Sequence, residues 1–131
     1  MSFRLLDTNI VSYRFKLHPL ARRYRRHLLG YTLAVSFQTV GELWEWADRG
    51  GWGPAERARL EATIQTLTVV ESDPDVCREW ARVRAARRHQ PISTDDAWIA
   101  ATALVYGLEL VTHNPLDFAG VPNLAVVSEG P

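Results

Sequence analysis

The 131-residue chain is poor in several residue types that commonly decide function. It has one cysteine, Cys77, which excludes an internal disulfide framework and a multi-cysteine zinc site. Excess charge is also missing: 15 basic residues balance 15 acidic ones, so the total gives no sign of a strongly basic nucleic-acid binder. Lysine is nearly absent too, 14 of the basic residues being arginine, whose planar fork suits bidentate phosphate contact. No membrane-length apolar run exists. The longest candidate, AWIAATALVYGLELV at 97–111, is short of the ~18 residues a helix needs to cross a bilayer and contains Glu109. The opening MSFRLLDTN lacks the apolar stretch of a signal peptide, and with no framework of cysteines the expected compartment is the cytoplasm. Neither repeats nor low-complexity linkers are visible.

What is present is a folded composition. The chain is 47% hydrophobic and 23% charged with five Trp, enough to bury a core, and its length predicts a single domain over 1–131. Five short apolar runs read as strands: FRLL at 3–6, YTLAVS at 31–36, LTVVES at 67–72, LELVT at 108–112 and LAVVS at 124–128. Several are apolar throughout instead of alternating, as expected where both faces of a parallel sheet are covered. Helical segments lie between them. One begins near Thr8; in PLARRYRRHLLG, Leu20, Tyr24 and Leu28 recur at i, i+4, i+8, with Pro19 in the first turn. Segment 37–49 carries Phe37, Val40, Leu43, Trp44 and Ala47 on one stripe, with Ser36 as its N-cap. Segments 54–66, 74–88 and 96–106 complete the set, the last ending before a capping Gly107. Alternating β and α imply a three-layer α/β/α domain around a five-stranded parallel sheet.

In such sheets ligands sit beyond the carboxyl ends of the strands. Asp7 stands at one such end, where it is either an N-cap for the helix that follows or part of a site. Glu42 projects away from the stripe of its helix, so it is a solvated glutamate or a ligand. Asp96 heads the stripe formed with Ile99, Ala100 and Ala103, an expensive place for a carboxylate, offset in part by the free N–H groups of the helix start. Asp95, turned about 100° from it, reads as the cap or a first-turn charge. Asp117, in HNPLDF after the fourth strand, forms an Asx turn or joins the others. Converging carboxylates raise one another's pKa unless a cation is present, and oxygen donors without a Cys or His cluster point to Mg²⁺ or Mn²⁺.

These residues carry a resemblance to the PIN-domain ribonucleases, and within them to the VapC-type toxins of toxin-antitoxin pairs. LLDTN at 5–9, SFQTVGEL at 36–43, DAWIAATAL at 96–104 and LVTHNPLDF at 110–118 resemble the family's four motifs in order across the whole chain. The resemblance implies a PIN-like fold and an Mg²⁺- or Mn²⁺-dependent endoribonuclease whose catalytic, metal-holding acids are Asp7, Glu42, Asp96 and Asp117. Thr8 and Asn9 match the polar partners of the first acid, and Thr112 and Asn114 the pair before the fourth. It further implies a homodimer and a cognate antitoxin that inserts near the metal pocket. His113 departs from the Arg or Lys common at its position. Of the Asp95-Asp96 pair, Asp96 is taken as the ligand because it heads the stripe.

For an RNA substrate the candidate phosphate contacts are Arg22, Arg23, Arg25 and Arg26 on the second helix and Arg82, Arg84, Arg87 and Arg88 on the fifth, each weighed against a solvated helix face. Trp46, off its helix's stripe, is expected to stack on an unpaired base or face a partner. Two alternatives stand beside the nuclease. A haloacid-dehalogenase-type phosphatase also begins with an Asp after its first strand but wants a second Asp at the position of Asn9. A catalytically silent PIN-fold binding partner would keep the fold without the chemistry.

Overall fold

Leu5 and Leu6, neighbours on the first strand, send their side chains into two separate cores, and that single alternation organises the molecule. The computed structural model describes residues 2–131. In chain order the elements are β1 (Phe3–Leu6), α1 (Thr8–Lys16), α2 (Ala21–Leu28), β2 (Thr32–Ser36), α3 (Phe37–Arg49), α4 (Pro54–Gln65), β3 (Thr68–Val70), α5 (Pro74–Ala86), α6 (Thr94–Tyr106), β4 (Glu109–Val111), a 3₁₀ turn (Pro115–Phe118) and β5 (Val126–Val127). All strand pairs are parallel, in the order β3-β2-β1-β4-β5.

Register shows why both faces are apolar. Leu5 stands level with Ala34 on one side and Leu110 on the other, and all three join Val83, Ile99, Ala100 and Phe118 in the layer made with α5 and α6. One residue on, Leu6 pairs with Val111 and enters the opposite layer with Ile10, Phe15, Tyr24, Val35, Leu43 and Leu60 from the α1 to α4 side. Strands buried on both faces read as continuous apolar runs, which is why the runs predicted the sheet. The three-layer expectation and all five strands hold, although β3, β4 and β5 are shorter than the apolar runs that mark them.

Helix ends follow local chemistry. Ser36 caps α3, its hydroxyl accepting from the Thr39 amide at 3.3 Å, and Gly107 takes a left-handed φ of 64° to stop α6. Three boundaries differ from expectation. α6 starts at Thr94, two residues early, because Ser93 is its N-cap, which makes Asp95 a first-turn charge and not the cap. α5 stops at Ala86, leaving Arg87 and Arg88 beyond it. Pro19 lies outside the first turn of α2, whose N-cap is Leu20. Among the described residues no helix is long and apolar enough to cross a membrane.

Candidate active site

The carboxyl edge of the sheet gathers the acids. β1 pairs with β4 up to Val111, and one residue later Asp7 leaves the sheet, its amide donating to the Val111 carbonyl at 2.9 Å. The carboxylate then does two things at once. Oδ1 caps α1 by accepting from the Thr8 amide at 2.8 Å, and Oδ2 accepts from the Thr112 hydroxyl at 2.7 Å. The N-cap reading of Asp7 holds, and the same carboxylate is a buried acid, 7% exposed, at the strand end. Burial pushes its pKa up to about 6, with hydrogen bonds from Thr112 and Thr8 opposing the rise and the charges of Glu42 and Asp117 adding to it.

Asp96 reaches the same region from the first turn of α6. Its carboxyl is likewise pushed up to about 6, by burial first and then by Asp7, with Ser93 opposing and Asp117 and Glu42 contributing further repulsion. Glu42, in the second turn of α3, is half-buried and steadied by the Gln38 amide at 3.1 Å. Asp117 lies exposed in the 3₁₀ turn after β4. Four elements thus carry four acids that repel one another. Among the described residues no three His, Cys, Asp or Glu side chains stand close enough together to hold a metal ion by themselves. The donor set is oxygen only, which fits a hard divalent ion.

Of the four polar residues expected beside the acids, Thr112 bonds Asp7 by its side chain and Thr8 by its amide, while Asn9 and Asn114 bond the loop after β4. Thr112 is fully buried, and its hydroxyl accepts from the Asn114 amide at 3.1 Å while donating to Asp7, so its direction is fixed. Asn9 Oδ1 accepts from the His113 amide at 3.5 Å, tying α1 to the loop after β4. Thr8 Oγ1 lies 2.9 Å from Thr39 Oγ1, which links the start of α1 to the first turn of α3 ahead of Glu42. His113 turns inward, its Nδ1 2.6 Å from the Tyr24 hydroxyl.

Beside the acids opens a hollow of about 470 Å³ whose walls include Thr8, Ser12, Lys16, Glu42, Ser93 and Asp96. Thr39, Ser12 and Lys16 carried no sequence signal, because their place at the site depends on how α1 crosses α3. Trp46 packs edge-on against Phe15 and Trp52, at centroid distances of 5.8 and 4.6 Å, with the Lys16 ammonium 4.4 Å over its ring, and the rest of it lines the same hollow. One expectation fails here. Arg87 is not a surface cation. It is 7% exposed and donates to the carbonyls of Gln90 and Ala119 at 2.7 and 2.6 Å, which pins the loop after the 3₁₀ turn. Arg82 is paired with Glu79 at 3.1 Å and Arg26 with Glu129 at 2.6 Å, while Arg22 and Arg25 rim a second, larger groove of about 960 Å³ between α1, α2 and α4.

Residues 4–123 of this parallel-sheet chain, with its acids toward the carboxyl edge, match the PIN domain family, to which the chain belongs. It is 31% identical to Ribonuclease VapC1 of Haemophilus influenzae (strain R2866) over 129 residues, covering 92% of each chain. It is 30% identical to the tRNA(fMet)-specific endonuclease VapC of Shigella flexneri over 122 residues, again covering 92% of each. A solved toxin-antitoxin complex from Klebsiella pneumoniae contains a chain of the same fold, with TM-score 0.75, 28% identity and 95% of both chains covered.

Proposed function

We propose that this chain, as one PIN-like domain, is a divalent-metal-dependent endoribonuclease and the toxin of a toxin-antitoxin pair. The observation that carries the reading is the set of four acids on four elements, Asp7, Glu42, Asp96 and Asp117, the two more buried ones pushed up chiefly by burial and further by the charge of the others. Such a set is unfavourable alone and becomes favourable around a cation. Mg²⁺ or Mn²⁺ would be held by these carboxylates, and when bound it supplies Lewis acidity that offsets charge on the phosphate.

The chain's own groups do the positioning. Thr112 and the Thr8 amide hold both oxygens of Asp7, so this acid is the fixed reference of the site. Asp96, anchored through the capped first turn of α6, and Glu42, steadied by Gln38, approach from the other side. Hydrolysis joins a water oxygen to phosphorus and breaks the bond to the 3′ oxygen, leaving a 5′ phosphate and a 3′ hydroxyl. No acid need become covalently attached.

Ribonuclease relatives at about 30% identity over most of the chain support RNA as substrate. A toxin-antitoxin relative supports an antitoxin partner, one that inserts near the pocket lined by Glu42 and Asp96. A homodimer and a cytoplasmic setting complete the proposal. The phosphatase alternative has no support, since Asn9 bonds to the His113 amide where a second acid would stand. The test is incubation of purified protein and its Asp96→Asn variant with total RNA in Mg²⁺, Mn²⁺ or EDTA, with mapping of the cut ends. Discrete cuts that require metal and Asp96 and leave 5′ phosphates are expected; their absence in a folded, metal-loaded, antitoxin-free sample refutes the nuclease and favours the silent binding partner.

A further inference from the structure

Resting on the ribonuclease reading above, we propose that Lys16 is a substrate-binding residue that contacts a backbone phosphate of the RNA strand as it enters the hollow beside the acids. Lys16 is the only lysine of the chain. It ends α1, and basic side chains in a last helical turn commonly serve the helix dipole alone. Three features of its surroundings go beyond that service.

The first is where it points. Lys16 lines the 470 Å³ hollow together with Thr8, Glu42, Glu45, Asp95 and Asp96, and it is the one cation on those walls against four carboxylates. The second is what holds it. Its ammonium sits 4.4 Å above the ring of Trp46, a ring immobilised between Phe15 and Trp52, so the charge has a rigid shelf that neither neutralises it nor consumes its hydrogen bonds. The third is what it does not do. Glu45 on the same wall pairs with Arg49 at 3.5 Å, yet none of the ion pairs among the described residues uses Lys16. An ammonium is a compact point charge with three donors, suited to a single phosphate oxygen.

The need for such a cation follows from the hollow itself. A phosphate entering a space walled by carboxylates is repelled, and a metal held by the site's acids offsets that repulsion only where the reacting phosphate lies. An ammonium in the same hollow, held over Trp46, attracts the strand without competing for the metal. Trp46, by holding Lys16, is then a positioning residue, and this explains an indole at the edge of the site whose ring is already occupied.

The experiment measures RNA binding by the full chain in an Asp96→Asn background, where the strand is not cut, as a function of salt, for Lys16, Lys16→Gln and Lys16→Arg. Loss of one phosphate contact lowers the slope of log Kd against log salt by about 0.7 for a single strand. Lys16→Gln is expected to show that loss and Lys16→Arg to keep the slope. With Asp96 intact, Lys16→Gln is expected to raise KM for RNA cleavage and leave kcat near wild type. A purely structural role would alter Trp fluorescence and unfolding but not the slope. An unchanged slope in Lys16→Gln overturns the proposal, as does a wild type that binds no RNA. A protein that binds RNA with a Lys16-dependent slope yet cuts none would remove the nuclease reading and leave this one standing.

Discussion

Replacing Asp7 by Asn should make the metal-free protein more stable while abolishing its cleavage of RNA. The folded Asp7 carboxyl has a pKa of about 6 against an ordinary 3.8, chiefly because burial disfavours its charge. Just over two units at about 1.4 kcal/mol each means that ionised Asp7 costs the fold about 3 kcal/mol at neutral pH. The direction with pH follows. Between about 4 and about 6 the folded carboxyl holds a proton that the unfolded one has lost, so the stability contributed by this group is full below the lower value and lost as pH rises through the upper one. Asn removes the charge at similar shape: its oxygen accepts from the Thr8 amide and its NH₂ donates to the remaining lone pair of Thr112 Oγ1, whose own proton then loses Oδ2 as acceptor, a cost that offsets part of the gain. Relief of Asp96 from the neighbouring charge acts in the same direction.

The assay is urea unfolding in EDTA, followed by Trp fluorescence, for wild type and Asp7→Asn from pH 4 to pH 8. At pH 7.5 the variant's midpoint should lie higher by about 1 M or more at unchanged m, given slopes of roughly 1–3 kcal/mol/M. The gap should close toward pH 4. Taking the difference between the two proteins cancels the opposite contribution of Glu129, held down at about 2 by His27 and Arg26, whose stabilisation fades as pH falls below its ordinary 4.5. A variant less stable than wild type at pH 7.5, or a gap that does not change with pH, refutes the claim that a desolvated charge at Asp7 is what the metal relieves.

Two further outcomes follow from the same contacts. Thr112→Val deletes the donor to Asp7 Oδ2 and should weaken Mg²⁺ or Mn²⁺ binding by about 10- to 100-fold, as loss of such a supporting bond does elsewhere, read by titration calorimetry, with no new fold defect in the circular dichroism spectrum. Arg87→Ala strands the Gln90 and Ala119 carbonyls around a buried cavity and should cost about 2–3 kcal/mol of unfolding free energy without changing kcat per folded molecule, which separates it from an RNA contact.

What could be read from the sequence was local. Asp7 was legible because a strand's apolar run ends on it and a helix starts after it, and Asp96 because a charge heading an apolar stripe breaks a pattern that the eye can follow for ten residues. The paired strands were legible because burial on both faces leaves no polar alternation. What was not legible shares one cause. Trp46 lies off the stripe of α3, and its packing on Phe15 from α1 and Trp52 from the following loop could not be read, because the periodicity of one helix carries no information about a second covering surface. Arg87 looked like part of a basic face because α5 was extended two residues too far; once the helix stops at Ala86, the side chain turns to carbonyls 3 and 32 residues away. The Thr8–Thr39 contact and the seat of Lys16 on Trp46 are likewise contacts across long stretches of chain.

The bond between Asp7 and Thr112 joins residues 105 apart in the chain. β1 is the first strand of this domain in chain order and the middle strand of the sheet, yet β4, which covers its other edge, leaves the ribosome only after α6. A nascent chain therefore carries Asp7 exposed through most of its translation, with neither its burial nor its orienting hydroxyl, and Asp96 and Asp117 also arrive late. Assembly of the site must therefore wait for β4, which places it late in the folding of this domain.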